Sequence, residues 1–190
     1  MSISEIIKNR RTARNFNDKK VSESDLINII SLARLSPSAA NLQPLKYGII
    51  VDENIRKKMY PLVRYAGYIK DWNPTFEQSP KAFIAIFCDT EVVKVDKCEC
   101  DAGIAMMAIT LVAEEKGLSS CIIGAFDKKE VAEILGVDKR YSPVYLIGLG
   151  YSDGKSGFFE SNEEVKYRLN QTGGFDVPKR RMEDILVVKK

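Results

Sequence analysis

Helix-like and strand-like segments alternate along this chain with few hairpin signals between them, and that order narrows the fold more than any other feature. Residues 2–10 read as a short helix with Ile3, Ile6 and Ile7 on one face. Leu26, Ile29, Ile30 and Ala33 recur at helical spacing. Ser22 and Asp25 are placed to cap that second helix, and Pro37 ends it. Residues 47–51 are a short apolar run that reads as a buried strand, followed by a polar helix over 53–63. A second buried strand is predicted over 82–88. The strongest helix runs over 96–116, with Ala102, Ala105, Met106, Ile109, Val112 and Ala113 on one face and Gly117 as its stop. Strands over 120–123 and 144–150 flank a helix over 128–135 that Gly136 closes. Such an order defines an α/β or α+β protein with helices packed on a mixed sheet.

Two stretches break the alternation. Residues 65–80 are irregular, with Tyr65, Tyr68, Trp72 and Phe76 among prolines. They read equally as a pocket lid or as core beneath a loop. Residues 152–180 are rich in Gly, Asn, Ser and charge and show no sustained period, after which 184–188 returns as a short strand. A strand reached across a long irregular arm suits a remote partner, and a second subunit is a reasonable one. The 190 residues fit one domain, 1–190, with 152–190 as an extended C-terminal arm.

Composition removes several function classes. The chain is 45% hydrophobic and 29% charged, with a net charge of +3. No basic run interleaved with aromatics supports nucleic-acid binding. No stretch reaches the roughly 20 apolar residues of a membrane span, and charge comes too early for a signal peptide. A cytoplasmic protein is expected. There is no histidine. Ser-His-Asp, Cys-His and His-metal mechanisms therefore drop out together, and chemistry falls to carboxylates, Lys, Tyr, Cys or a cofactor. Cys88, Cys98, Cys100 and Cys121 read as reduced small core residues; Cys98 and Cys100 are spaced poorly for one metal. No metal site is expected. No G-x-G-x-x-G follows a strand and no P-loop occurs; Gly148-x-Gly150 ends a strand without the third glycine.

Three segments carry candidate chemistry. Arg10, Arg11 and Arg14, with the Thr12 hydroxyl, form either an anion site or a solvated basic helix end; on a continued helix Arg10 and Arg14 share a face. Lys179, Arg180 and Arg181 join them only if the fold allows. Pro37, Ser38, Ala39, Asn41 and Gln43 offer the polar edge of a heterocycle a set of partners, or make an ordinary loop. Ile122, Ile123 and Gly124 end a strand where backbone N–H groups can face a ring, or form a plain strand-to-helix turn.

The order and spacing of these segments resemble the nitroreductase-like flavoprotein family along most of the chain. The family's R-R-S-x-R-x-F opening corresponds to RRTARNF, with Thr12 keeping the hydroxyl. Its P-S-x-x-N-x-Q-P-W loop corresponds to Pro37, Ser38, Asn41, Gln43 and Pro44, although Leu45 stands where the aromatic usually is. Its helix end before an I-G-x-F turn corresponds to residues 113–118 and 123–126, and its basic element before a C-terminal strand to residues 179–181. The resemblance implies an α+β nitroreductase-like fold, a mixed, mainly antiparallel sheet flanked by helices in three layers. It further implies an intertwined homodimer that exchanges its C-terminal strand.

By the same resemblance, FMN is held by Arg10, Arg11, Thr12 and Arg14, with Lys179 and Arg181 at the phosphate. Pro37, Ser38, Ala39, Asn41 and Gln43 come from the other subunit, and Gly124 lies near flavin N5 with Ile122 and Ile123 against the ring. The implied activity is an FMN-dependent, ping-pong oxidation of NADH or NADPH that reduces nitroaromatics, quinones or similar small electron-poor acceptors. No side chain need be an essential acid, so no catalytic residue is assigned. The alternatives are an FMN carrier or sensor without turnover, a dehalogenase-like or flavin-processing relative, and a basic interaction protein without cofactor.

Overall fold

The computed structural model describes residues 1–70 and 72–190. Four strands form the central sheet: β1 (Leu45–Ile50), β2 (Ala82–Asp89), β3 (Ser119–Ile123) and β4 (Tyr141–Gly150), in the order β1-β2-β4-β3 with every pairing antiparallel. The predicted α+β architecture with a mainly antiparallel sheet is what forms. All eight residues of β2 are buried. Its alternate side chains enter two cores, which is why its sequence is a continuous apolar run rather than an alternating one. Ile84, Ile86 and Cys88 face α2 (Glu23–Ala33) and α4 (Glu99–Glu115), meeting Leu26, Ile29, Met106 and Ile109. Phe83, Ala85 and Phe87 enter the other core with Phe16, Met59, Val63 and Val131, beneath α3 (Glu53–Met59) and α5 (Lys128–Leu135). Helices on both faces complete three layers.

Local chemistry sets the helix ends. The first helix, α1 (Ile3–Asn9), carries a reciprocal capping box in which the Glu5 N–H donates to Ser2 Oγ at 3.3 Å and the Ser2 N–H to Glu5 Oε2 at 2.6 Å. Asp52 and Asp127 cap α3 and α5. Ser22 does not cap α2 as expected. Its hydroxyl pairs with Ser24 Oγ at 2.6 Å, and the Asp25 carboxylate accepts from Lys116 Nζ at 2.9 Å. Tertiary and neighbouring partners outcompete the local box. Gly148 owes its place to close packing: a Cβ there would lie 2.4 Å from Pro80 Cγ. The Gly148-x-Gly150 spacing thus reports a tight interior, not a phosphate loop.

Asp89, fully buried at the end of β2, accepts from Arg140 Nε and Nη2 at 2.7 and 2.6 Å, with Lys46 Nζ at 3.8 Å. The Arg140 hydrogen bonds hold its carboxyl below the usual aspartate value. A carboxyl depressed on folding contributes stability that is present above its unfolded pKa of about 3.9 and lost as pH falls through the folded value. In urea unfolding, the gap between wild type and Asp89→Asn is therefore expected to be wide at neutral pH and to narrow below about pH 4. An unchanged gap would mean that Asp89 is not ionised in the native state.

The C-terminal region departs from expectation twice. Residues 152–180 are not an irregular arm. They form a second sheet of β5 (Gly157–Glu160), β6 (Arg168–Leu169) and β7 (Phe175–Lys179), with β7 central, parallel to β5 and antiparallel to β6. Asn170 knits its turn, donating to Lys155 O and Asp176 Oδ1 at 2.9 and 3.0 Å. The pairing is non-local, so no sequence period announces it. The strand expected over 184–188 is absent: Met182–Ile185 is one helical turn, α6, and residues 186–190 form no regular element. A strand needs a ladder partner, and Val187, 91% exposed, has none beside it in this chain. Among the described residues, no helix is long and apolar enough to cross a membrane.

Candidate functional site

Helix α1 ends at Asn9, so the three arginines lie on extended chain and not on one helical face. This segment runs beside the start of β3. Thr12 bridges to Ser120 in parallel fashion, and the Ala13 N–H donates to Ser120 O at 2.9 Å. Burial of Ala13 and Phe16 anchors the segment and leaves Arg10, Arg11, Thr12 and Arg14 half-buried between them. Arg11 Nη1 donates to the carbonyls of Ile7 and Arg10, finishing α1. Its guanidinium also lies 4.7 Å from the centroid of the Phe158 ring.

No ion pair joins Arg10, Arg11 or Arg14 to a carboxylate among the described residues. Arg10 Nε and Arg11 Nε are buried without any hydrogen-bond partner. Burial and the like charge of Arg10 push Arg11 below its ordinary pKa. Glu114 is close enough to feel both arginines, yet burial raises its carboxyl above the usual value and it pairs with neither. Arg10 and Arg11, partly desolvated and still short of acceptors, suit an anion with several oxygens, while the Arg14 guanidinium stacks on Tyr167 and Phe175. A pocket of about 520 Å³ opens beside Arg11, lined also by Lys8, Glu114, Lys155 and Phe158.

The loop at residues 37–44 is strained. Ala40, Asn41 and Gln43 have φ of 49°, 54° and 51°, in the left-handed region where only glycine, and to some degree Asn, is at ease. Such conformations cost on the order of 1 kcal/mol or more each and persist where surrounding contacts enforce them. Here the Gln43 N–H donates to Ser38 Oγ at 3.0 Å, Gln43 Nε2 to Asn41 O at 3.3 Å, and the Ala39 N–H to Asp101 Oδ1 at 3.0 Å. Ser38 and Gln43 thus shape the loop, while Pro37, Ala39 and Asn41 are exposed. Asp101, 4% exposed on α4, was missed by sequence reasoning. Its one signal is a position, two residues after Glu99 in the first turn of α4 and just ahead of the apolar stretch that begins at Ala102. Ser38, Gln43, Tyr47 and Asp101 border a cavity of about 180 Å³.

Gly124 follows β3 with Ile122 exposed and Ile123 buried. A Cβ on Gly124 would lie 3.2 Å from the Tyr145 ring, whose hydroxyl donates to Glu99 Oε2 at 2.6 Å. Register shows that these groups do not all meet within one chain. Thr12 is level with Ser120, hence with Leu149 and Ala82, whereas the loop enters β1 at Leu45, level with Cys88. Six residues of strand and four strand spacings separate them, about 20 Å along the sheet and about 19 Å across it. Ile123, level with Ala85, lies between. Lys179 and Arg181 are exposed. Lys179 pairs with Glu160, two positions, about 7 Å, past the Phe158 that covers Arg11.

The buried thiols are held protonated. Burial, and then the neighbouring Cys88, push Cys98 up to about 12; burial pushes Cys121 up to about 11.

Three layers on an antiparallel sheet, arginines without carboxylate partners at one end and a strained polar loop at the other make this an α+β protein with polar groups gathered at both ends of the sheet. Comparison with known proteins gives the family. Residues 7–151 match the profile described as the Nitroreductase family. A Streptococcus pyogenes protein provisionally named a NAD(P)H nitroreductase is 30% identical over 198 residues, covering 89% of this chain and 96% of its own. Among solved structures, an FMN-dependent nitroreductase from Clostridium difficile is 27% identical with a TM-score of 0.66, covering 80% of this chain and 88% of that one. A Desulfovibrio desulfuricans protein solved with FMN superimposes with a TM-score of 0.74 over 100% of this chain and 98% of that one, at 21% identity, and so bears on the fold alone. The chain belongs to the nitroreductase family.

Proposed function

We propose that this protein is an FMN-dependent NAD(P)H oxidoreductase that reduces nitroaromatics, quinones or similar electron-poor acceptors. The observation that carries the reading is the set of three half-buried arginines without a carboxylate partner among the described residues, two of them with a buried Nε lacking an acceptor. The phosphate of FMN fits this donor set, since guanidinium groups match phosphate oxygens with paired hydrogen bonds. Arg10, Arg11, Thr12 and Arg14 would hold it, with Lys179 and Arg181 adding charge. Bound FMN would supply the hydride chemistry that a chain without histidine does not. The relatives named for NAD(P)H and FMN support the same cofactor and donor.

The distance between the arginines and the loop at residues 37–44 supports a homodimer. Pro37, Ser38, Ala39, Asn41 and Gln43 of a second copy would complete the site, with Ile122, Ile123 and Gly124 against the flavin ring. Ile104 and Met107 on α4 and the exposed apolar tail from Met182 to Val188 are surfaces such a copy would cover. Residues 1–190 then act as one domain whose C-terminal end reaches across the dimer, in the cytoplasm.

The test is an absorption spectrum of the purified protein supplied with FMN, repeated anaerobically after NADH or NADPH. Flavin bands at roughly 370 and 450 nm that bleach on addition are expected. Bands that persist would point to a carrier or sensor, and absence of binding would end the flavin reading.

A further inference from the structure

The C-terminal sheet presents its aromatic side chains to the arginine segment. The Arg14 guanidinium lies 4.3 Å from the centroid of the Tyr167 ring and 5.0 Å from that of Phe175. The two rings meet at 88°, so they close a corner around the cation on two sides. Trp72 stacks edge-on against Phe175 at 5.5 Å, and Tyr68 lies 5.3 Å from Tyr167. The irregular aromatic segment thus braces the corner from behind. Arg14 itself makes no hydrogen bond or ion pair among the described residues, so its N–H donors are uncommitted while its rotamer is held.

From this arrangement we infer that Tyr167 and Phe175 are positioning residues that fix Arg14 for an anionic phosphate ester and so let the site distinguish a phosphorylated ligand from its unphosphorylated form. Guanidinium faces stack on rings while the edges carry the donors, so stacking leaves hydrogen bonding free. A free arginine side chain gives up rotamer entropy when it binds. A stacked one has given up part of it on folding, and the phosphate then binds a pre-organised donor. The inference deepens the flavin reading above and rests on it: the phosphate concerned is that of FMN, and riboflavin is the natural control.

The experiment compares FMN and riboflavin affinities by flavin-fluorescence titration of apo-protein for wild type, Tyr167→Leu and Tyr167→Phe. Tyr167→Leu is expected to weaken FMN roughly threefold to thirtyfold, the range a cation–π contact spans, and to leave riboflavin within about twofold. Tyr167→Phe, which keeps the ring, is expected to recover most of the FMN affinity. Unchanged riboflavin binding reports an intact pocket, so a general folding defect is recognisable. Equal weakening of both flavins, or no change in either, would overturn the inference while leaving the flavin site standing. Wild-type protein that binds neither flavin would overturn both.

Discussion

Replacing Arg14 by glutamate is expected to weaken FMN binding by roughly a hundredfold, with riboflavin much less affected. The change removes charge-assisted hydrogen bonds of about 1.5–3 kcal/mol and sets a carboxylate beside the phosphate, where like charges repel. At about 1.4 kcal/mol per decade the first effect alone gives one to two orders of magnitude. The variant is expected to fold, because Arg14 is half-buried and forms no ion pair that stabilises the native chain. The loss should shrink as salt is raised, since part of it is screened Coulombic repulsion. Titration at two ionic strengths reads both effects. Unchanged FMN affinity in the folded variant would remove Arg14 from the site.

Gly174→Ala is expected to unseat the C-terminal sheet without unfolding the central one. A Cβ at Gly174 would lie 2.5 Å from the Lys155 carbonyl carbon and oxygen, and one at Gly154 would lie 2.7 Å from Gly173 C and Gly174 N. Two backbones cross here, so no side-chain rotation relieves the clash. Overpacking of this kind costs about 1–3 kcal/mol, and a three-stranded sheet has little else to offset it. Local opening should become roughly five- to hundredfold more frequent. Limited proteolysis should therefore cut residues 152–180 faster while far-UV circular dichroism stays close to wild type. FMN affinity should fall too, because Phe175, next in sequence, is drawn off Arg14. Protease protection equal to wild type would show that the crossing tolerates a methyl group.

Much of the fold is legible in the residues themselves. The apolar run over 82–88 becomes the doubly buried β2, and the apolar helical face ending at Gly117 becomes α4, because burial patterns of continuous elements are written locally. The arginine cluster and the polar loop were also visible as residue types in order. What they do locally was not. Arg11 spends donors on the end of α1, Ser38 and Gln43 hold a strained loop, and the capping box forms at Ser2 instead of Ser22. Each outcome depends on which partner lies nearest, and proximity is a property of the folded chain.

The amino-acid sequence alone determined the main helices and strands up to residue 150, their packing as helices on a sheet and the absence of histidine chemistry, because composition and short-range periodicity suffice for these. Only the tertiary structure decided that residues 152–180 pair as a sheet, that Asp101 anchors the loop, and that Tyr167 and Phe175 corner Arg14. It also set the loop and the arginines at opposite ends of the central sheet. These are contacts between residues tens of positions apart, and their energies exist only once the chain has closed the intervening loops.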